Sequence, residues 1–236
     1  MRDSAERAIA HHAVAIPLDG VTLEGDLMIP DQAKGLVLFA HGSGSSRHSP
    51  RNRAVAAELQ GAGCATLLFD LLTAEEERIE AATRHLRFDI ELLATRLAVA
   101  TDWATQRSPA KHLPVGYFGA STGAAAALVA AARRPHAVRA VVSRGGRPDL
   151  AGPALADVRA PTLLIVGGYD TVVIELNEAA LGALRCVKRL EIVPQATHLF
   201  EEAGALEQVA RLARDWFGRY LGAANRDSGE ARAVQY

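Results

Sequence analysis

Ser121 lies in the stretch Gly119-Ala-Ser-Thr-Gly123, where a short apolar run gives way to an alanine-rich one. The spacing Gly-x-Ser-x-Gly is typical of a nucleophilic serine on a tight strand-to-helix turn, because small neighbours allow the strained backbone that exposes the hydroxyl. A serine at the same place is also a good N-cap for the helix that follows. The pattern alone therefore leaves two interpretations, a nucleophile and a capping residue.

A serine hydroxyl becomes a nucleophile only when a base accepts its proton and a third group holds that base. Asp170 and His198 follow two later apolar runs and complete the chain order Ser…Asp…His, which is that of α/β-hydrolases. His48 is the competing candidate for the base and Asp149 for the acid. Asp157 precedes a predicted strand, so we expect it at the opposite edge of the sheet. The chain order favours Asp170 and His198 as the partners of the serine.

Several short apolar runs lack polar alternation, which is typical of strands buried on both faces of a parallel sheet. A leading hairpin around Asp19-Gly20 precedes them, and segments with helical periodicity separate them. The predicted strands cover residues 11–18, 21–29, 35–40, 65–70, 115–118, 137–143, 162–166 and 189–193, and the predicted helices cover about 51–61, 75–107, 122–133, 175–184 and 204–221. This order predicts an α/β fold whose eight-stranded, mostly parallel sheet has helices on both faces.

We expect a single domain over residues 1–222, since no low-complexity linker divides the chain. Residues 223–236 are polar and aperiodic and are predicted to form a flexible C-terminal tail. In an open parallel sheet, ligands bind beyond the carboxyl ends of the strands. All of the candidate catalytic residues follow strands and therefore belong to that one edge.

Arg144 and Arg147 follow the sixth predicted strand, at the same edge as the serine. One interpretation is a solvated loop whose arginines pair with Asp149 or Asp157, because exposed ion pairs are common and weak. In the other, a guanidinium binds an anionic group of the substrate. Both arginines are therefore candidate substrate-binding residues.

The composition argues against several classes of partner. The 236 residues carry a net charge of −1, which gives no electrostatic reason to expect nucleic acid or an anionic membrane. Cys64 and Cys186 have no metal-ligand spacing and are predicted to be reduced core thiols. No run has the length of a signal peptide core or a membrane span, so we expect a cytoplasmic protein. We expect neither a cofactor nor a metal, and a homodimer is one of the assemblies left open.

The motifs HGSGSS, GASTG, GGYD and ATH together resemble the dienelactone hydrolase-like branch of the α/β-hydrolase superfamily, from about Val21 to Leu221. The resemblance implies hydrolysis of carboxylic esters or lactones by a small-molecule hydrolase. It also implies an oxyanion hole made by the backbone N–H groups of Ser43 and Thr122. Dienelactone hydrolase itself has a cysteine nucleophile where this chain has Ser121, so we expect a general serine esterase rather than a lactone-specific enzyme.

Rival functions belong to other classes. A phosphate-handling transferase is one, because glycine loops before helices bind anions, although HGSGSSR lacks the Lys-Ser/Thr ending of a P-loop. A binding protein that keeps a hydrolase fold without turnover is another, and a peptidase is a rival among hydrolases.

The segment between the sixth and seventh predicted strands is too short for the helical lid of many lipases. We therefore expect an open site for small esters.

Overall fold

The computed structural model describes residues 8–18 and 20–222. The predicted C-terminal tail, residues 223–236, lies outside the described residues. Within them, the predicted hairpin and the alternation of strands and helices are confirmed.

The sheet has eight strands in the order β1-β2-β4-β3-β5-β6-β7-β8. The strands are β1 Ile9–Leu18, β2 Val21–Pro30, β3 Gly35–Ala40, β4 Cys64–Phe69, β5 Val115–Ala120, β6 Val138–Arg144, β7 Thr162–Gly167 and β8 Lys188–Val193. β2 runs antiparallel to both β1 and β4, and the remaining pairs are parallel. The prediction of an eight-stranded, mostly parallel sheet is confirmed.

The described residues include six α-helices. They are α1 Pro50–Gly61, α2 Ala74–Thr83, α3 Ile90–Gln106, α4 Thr122–Arg133, α5 Thr171–Ala183 and α6 Ala205–Leu221. None of these helices combines the length and the apolar character that crossing a membrane requires.

The prediction of one continuous helix over 75–107 is wrong, because α2 and α3 are separate. Arg84 ends α2 in the left-handed conformation, with φ 57°, and Asp89 begins α3 by accepting a hydrogen bond from the Leu92 N–H. Between them, the buried carboxylate of Glu80 accepts a bond from the Leu86 N–H at 2.7 Å. These contacts satisfy the backbone groups that the break exposes.

Side chains of the central strands alternate between two cores, one on each face of the sheet. Leu36, Leu38 and Tyr117 belong to the core on the face of α3 and α4. Val37 and Phe118 belong to the core on the face of α1 and α6. Because the central strands are buried on both faces, their sequences are apolar at every position, as the sequence pattern indicated.

β8 differs from the central strands because it forms one edge of the sheet and pairs only with β7. Of its residues, only Val193 is buried. The loop that follows β8 contains His198, so a candidate catalytic residue depends on an edge strand.

Cys64 and Cys186 are free thiols, the first buried and the second half-buried. Burial raises the pKa of the Cys64 thiol to about 11. The thiol therefore stays protonated near neutral pH, as expected for a core cysteine rather than a reactive one.

Candidate active site

Ser121 occupies the turn between β5 and α4 in a backbone conformation of φ 51° and ψ −123°. A residue with a side chain rarely adopts a positive φ of this kind, and strained conformations cost about 1–3 kcal/mol. The Ser121 side chain makes no capping hydrogen bond to α4. The geometry therefore excludes the interpretation of Ser121 as a side-chain cap of α4.

Backbone hydrogen bonds hold this turn against the end of β6. The Ser121 N–H donates to the Arg144 carbonyl at 3.3 Å, and the Ser121 carbonyl accepts from the Arg147 N–H at 3.1 Å. The N–H and the carbonyl of Ser121 are therefore both held by the segment at the end of β6, and such contacts allow a strained conformation to persist.

The two glycines of the motif are required by close approaches of backbone. A Cβ atom on Gly123 would lie 2.2 Å from the Ala40 carbonyl oxygen at the end of β3. A Cβ atom on Gly119 would lie 2.5 Å from the Ala124 Cα atom in α4. Only glycine allows strand and helix to approach this closely around the serine.

Asp170 and His198, which follow β7 and β8, are joined by a hydrogen bond of 2.6 Å between Asp170 Oδ2 and His198 Nδ1. The side chain of Asp170 is 16% exposed and that of His198 is 40% exposed. A proton on Nδ1 donates to the carboxylate and leaves Nε2 unprotonated and able to accept a proton. The structure thus joins the sequence-predicted acid and base.

The competing candidates have other partners. Asp149 accepts two hydrogen bonds from Arg147, at 2.9 and 2.7 Å. His48 is exposed, and its Nδ1 accepts a hydrogen bond from Arg53 at 3.1 Å. Neither residue therefore forms the carboxylate–imidazole pair that the geometry gives to Asp170 and His198.

The loops after β3, β5, β6 and β8 converge on Ser121 and His198. A Cβ atom on Gly42 would lie 3.0 Å from the Ser121 Cβ atom, and one on Gly145 would lie 3.6 Å from the His198 Cε1 atom. Gly145 directly follows the residue whose carbonyl accepts from the Ser121 N–H. The loop after β6 therefore contacts both the turn that carries Ser121 and the ring of His198.

Ser43 and Thr122, the two residues of the implied oxyanion hole, are also brought together. Their hydroxyl oxygens are 3.0 Å apart and share a hydrogen bond. Thr122 is the first residue of α4, so its N–H has no acceptor within the helix and lies at the positive end of the helix dipole. The position suits the stabilisation of an oxyanion.

His41 is a residue whose importance the sequence analysis missed. It is buried at the end of β3, where its Nδ1 bonds the Gly42 carbonyl and its Nε2 accepts from the Leu71 N–H, both at 3.0 Å. The imidazole thus ties the loop that carries Ser43 to the end of β4. Its place directly before a glycine-rich loop is the signal that could have revealed this role.

Desolvation by burial lowers the pKa of His41 below its ordinary value of 6.5. The unfolded chain therefore binds this proton more readily than the folded protein, so the contribution of His41 to stability is fully present above about pH 6.5 and is lost as the pH falls. We expect the free energy of unfolding to decrease between pH 7 and pH 5 by a larger amount in the wild type than in His41→Gln. Urea unfolding at a series of pH values measures this difference.

His112→Gln is the matched control, because it removes an exposed imidazole and leaves His41 and its contacts in place. Equal pH slopes for wild type and His41→Gln would show that His41 does not carry this effect.

The two sequence-predicted arginines have different environments. Arg147 is half-buried and forms an ion pair with Asp149. Its hydrogen bonds to that carboxylate, together with the negative charge, raise the pKa of the guanidinium. Arg144 is only 8% exposed, and neither its Nε nor its Nη1 has a hydrogen-bond partner among the described residues. Desolvation, followed by the charge of Arg51, lowers the pKa of Arg144 to about 10, so it still carries a charge at neutral pH.

Within residues 8–18 and 20–222, no group of three or more His, Cys, Asp and Glu side chains is placed to hold a metal ion. The expectation that the protein uses no cofactor stays a prediction.

Comparison with known proteins extends the likeness of fold to sequence. Residues 35–222 match the family model of the alpha/beta hydrolase fold. A crystal structure of dienelactone hydrolase from Anabaena variabilis is 65% identical, with a TM-score of 0.88 over 90% of this chain and 98% of that one. The esterase domain of a Rhodothermus marinus protein is 22% identical, with a TM-score of 0.71 over 91% of this chain and all of that one, and supports the fold alone.

A Mycobacterium tuberculosis protein with the provisional name phosphoribosyl transferase is 59% identical over 218 residues. These residues are 92% of this chain and 48% of that protein, so the chain spans about half the length of the curated relatives it matches. The name describes the longer protein. The family match and the 65% identity agree on one assignment: the chain belongs to the α/β-hydrolase family, in its dienelactone hydrolase-like branch.

Proposed function

We propose that the protein is a serine hydrolase that cleaves small carboxylic esters or lactones through an acyl-enzyme on Ser121. The observation that carries the proposal is the carboxylate–imidazole pair of Asp170 and His198, at 2.6 Å, beside a serine held in a strained turn. An imidazole fixed by a carboxylate through Nδ1 is prepared to act as a base through Nε2.

In the proposed acylation step, His198 Nε2 accepts the proton of the Ser121 hydroxyl while Oγ attacks the ester carbonyl carbon. The carbonyl oxygen becomes an oxyanion, and the imidazolium then donates its proton to the leaving alcohol. Water attacks the acyl-enzyme in the second half of the reaction, with His198 again accepting a proton and returning it to Ser121. Asp170 remains ionised throughout and stabilises the imidazolium.

The backbone N–H groups of Ser43 and Thr122 are the proposed donors to the oxyanion. The hydrogen bond between their hydroxyls supports this assignment, because it holds the loop after β3 against the first residue of α4. A preformed donor of this kind typically contributes about 3–4 kcal/mol to transition-state stabilisation.

An open site is supported by the exposure of His198 and by the short connection between β6 and β7. That connection contains only the 3-10 segment Pro148–Asp157, which is kinked at Gly152. A large helical cover is therefore missing at this point of the described chain. Small, soluble esters fit such a site better than long acyl chains.

We expect kcat/KM for p-nitrophenyl esters to be highest for acyl groups of two to four carbons, roughly, and not to rise further with chain length. Each buried methylene would contribute about 0.8 kcal/mol, but an open site offers little apolar wall for a longer tail. A series from acetate to dodecanoate measures the preference. A steady climb to the dodecanoate would reveal an apolar groove and contradict the assignment of small substrates.

Labelling with a fluorophosphonate probe tests the proposed function directly. An activated serine forms a covalent adduct, which peptide mass spectrometry should locate on Ser121, and heat-denatured protein serves as the control. The alternative of a non-catalytic binding protein predicts no adduct.

The transferase alternative is supported only by the provisional name of the longer relatives. Equal turnover of amide and ester substrates would favour the peptidase alternative.

A further inference from the structure

Arg144 is the last residue of β6, on the face of the sheet that packs against α1 and α6. Strand alternation places it on the same side as Ala140 and Val142, which belong to the core under those helices. Ser143, its neighbour, faces α4 instead, because a Cβ atom on Gly146 would contact both the Ser143 Oγ atom and the Ala124 Cβ atom. The arginine thus ends a buried apolar row with a charge.

This charge has no counterion among the described residues. The Nε and Nη1 atoms of Arg144 are buried without hydrogen-bond partners. Burying the N–H groups of Nε and Nη1 without acceptors is costly, and a ligand that supplied the acceptors would offset that cost. Arg144 is only 8% exposed, whereas the side chain of the paired Arg147 is 36% exposed.

Arg51 adds a second positive charge from the first turn of α1. Its Nε is also buried without a partner, while its Nη1 donates to the exposed Glu201 at 3.2 Å. Burial first, and then the positive charge of the nearby Arg51, lowers the pKa of Arg144. An anion between the two guanidinium groups would stabilise both charges.

The position is next to the proposed catalytic centre. The Arg144 carbonyl accepts the hydrogen bond of the Ser121 N–H, and the following residue, Gly145, approaches the His198 ring. Glu201, the partner of Arg51, lies three residues after His198. An anion between the two arginines would therefore lie within the reach of a small substrate bound at Ser121.

We infer that Arg51 and Arg144 bind a phosphate group carried by the ester substrate. The unpaired donors number three, namely Arg144 Nε, Arg144 Nη1 and Arg51 Nε. A carboxylate carries one negative charge, whereas a phosphate monoester has three terminal oxygens and carries nearly two charges at neutral pH. The more highly charged phosphate supplies acceptors to Arg144 and competes better than a carboxylate with the exposed Glu201 for Arg51. The assignment of the ligand as an ester substrate rests on the proposed function, whereas the anion site itself does not.

Binding of inorganic phosphate tests the site without turnover. At constant ionic strength, phosphate should raise the Tm of the wild type and of Ser121→Ala, but not that of Arg144→Met or Arg51→Gln. Arg53→Gln is the matched control, because Arg53 lies on the same helix and is exposed. Arg144→Met preserves the volume and removes an unpaired buried charge, so its Tm without phosphate should equal or exceed that of the wild type.

Three acetate esters then test the substrate: 2-acetoxyethyl phosphate, 3-acetoxypropanoate and 2-methoxyethyl acetate. The wild type should prefer the phosphate ester over the neutral ester by roughly tenfold or more in kcat/KM, and Arg144→Met should lose that preference. Arg53→Gln should keep it. The neutral ester should be hydrolysed equally by wild type and Arg53→Gln.

The outcomes separate the two proposals. Equal kcat/KM for phosphate and neutral esters, or a preference for the carboxylate ester, would overturn the phosphate assignment while leaving the hydrolase in place. Stabilisation by free phosphate without any preference for the phosphate ester would also overturn it, since the site would then serve a separate anion. No hydrolysis of any of the three esters by the wild type would instead overturn the proposed function, and the Tm shifts alone would decide the anion site.

Discussion

Ser121→Ala should lower kcat for a short p-nitrophenyl ester by roughly 10⁴-fold or more and leave the Tm within a few degrees of the wild type. The side chain is small, lies at a turn and makes no capping hydrogen bond, so its removal leaves the packing intact. Steady-state kinetics and a thermal scan on the same preparation measure both quantities. Retention of more than about a tenth of kcat, a loss of only about 1.4 kcal/mol, would exclude Ser121 as the nucleophile.

Two further variants sharpen this result. Ser46→Ala is a matched control from the loop after β3, where the Ser46 hydroxyl accepts only from the His48 N–H, and it should keep nearly full activity. Ser121→Gly should be as inactive as the alanine variant but melt above it, because glycine adopts a φ of 51° without strain. A lower Tm for the glycine variant would contradict the strain assigned to this turn.

Asp170→Asn should reduce kcat by roughly 10³–10⁴-fold with little change in fold. An amide can donate to Nδ1 of His198, which favours the tautomer with the proton on Nε2 and removes the base. It also leaves the imidazolium of the transition state without its carboxylate. Steady-state kinetics measures the loss, and circular dichroism with a thermal scan shows whether the fold is kept.

Asp149→Asn provides the comparison, because it breaks the ion pair with Arg147 without touching His198. This variant should leave kcat nearly unchanged. The reverse pattern, with Asp149→Asn inactive and Asp170→Asn active, would assign the acid to the loop after β6.

Much of the fold was predictable because the central strands are buried on both faces and are therefore apolar at every position. The serine and the acid were predictable for the same reason, since they follow the buried strands β5 and β7. His198 follows the mostly exposed edge strand β8, and only the chain order indicated its role. The break between α2 and α3 was not predictable, because a non-glycine residue ends α2 and the carboxylate of Glu80 stabilises the break through its contacts in the folded chain. Local periodicity contains no trace of these interactions.

Arg144 and Arg147 show where residue type stops being informative. Both are arginines beside glycines in one short segment, and the sequence pattern gives no basis for distinguishing them. One residue still belongs to β6 and follows its inward alternation, whereas the other lies beyond the strand and reaches Asp149. The difference between a buried, unpaired charge and an ordinary ion pair depends on where the strand ends, which a sequence pattern fixes only to within a few residues.

The strands that carry the serine and the histidine differ in how firmly they are held. β5 lies between β3 and β6, whereas β8 is an edge strand with one neighbour and mostly exposed side chains. Native proteins open locally at such low-protection segments long before they unfold globally. A subglobal opening of β8 would carry His198 away from Asp170 while the cooperative unit around β5 stayed intact. The protein would then pass through a folded but silent state, in which amide exchange is fast at β8 and slow at β5.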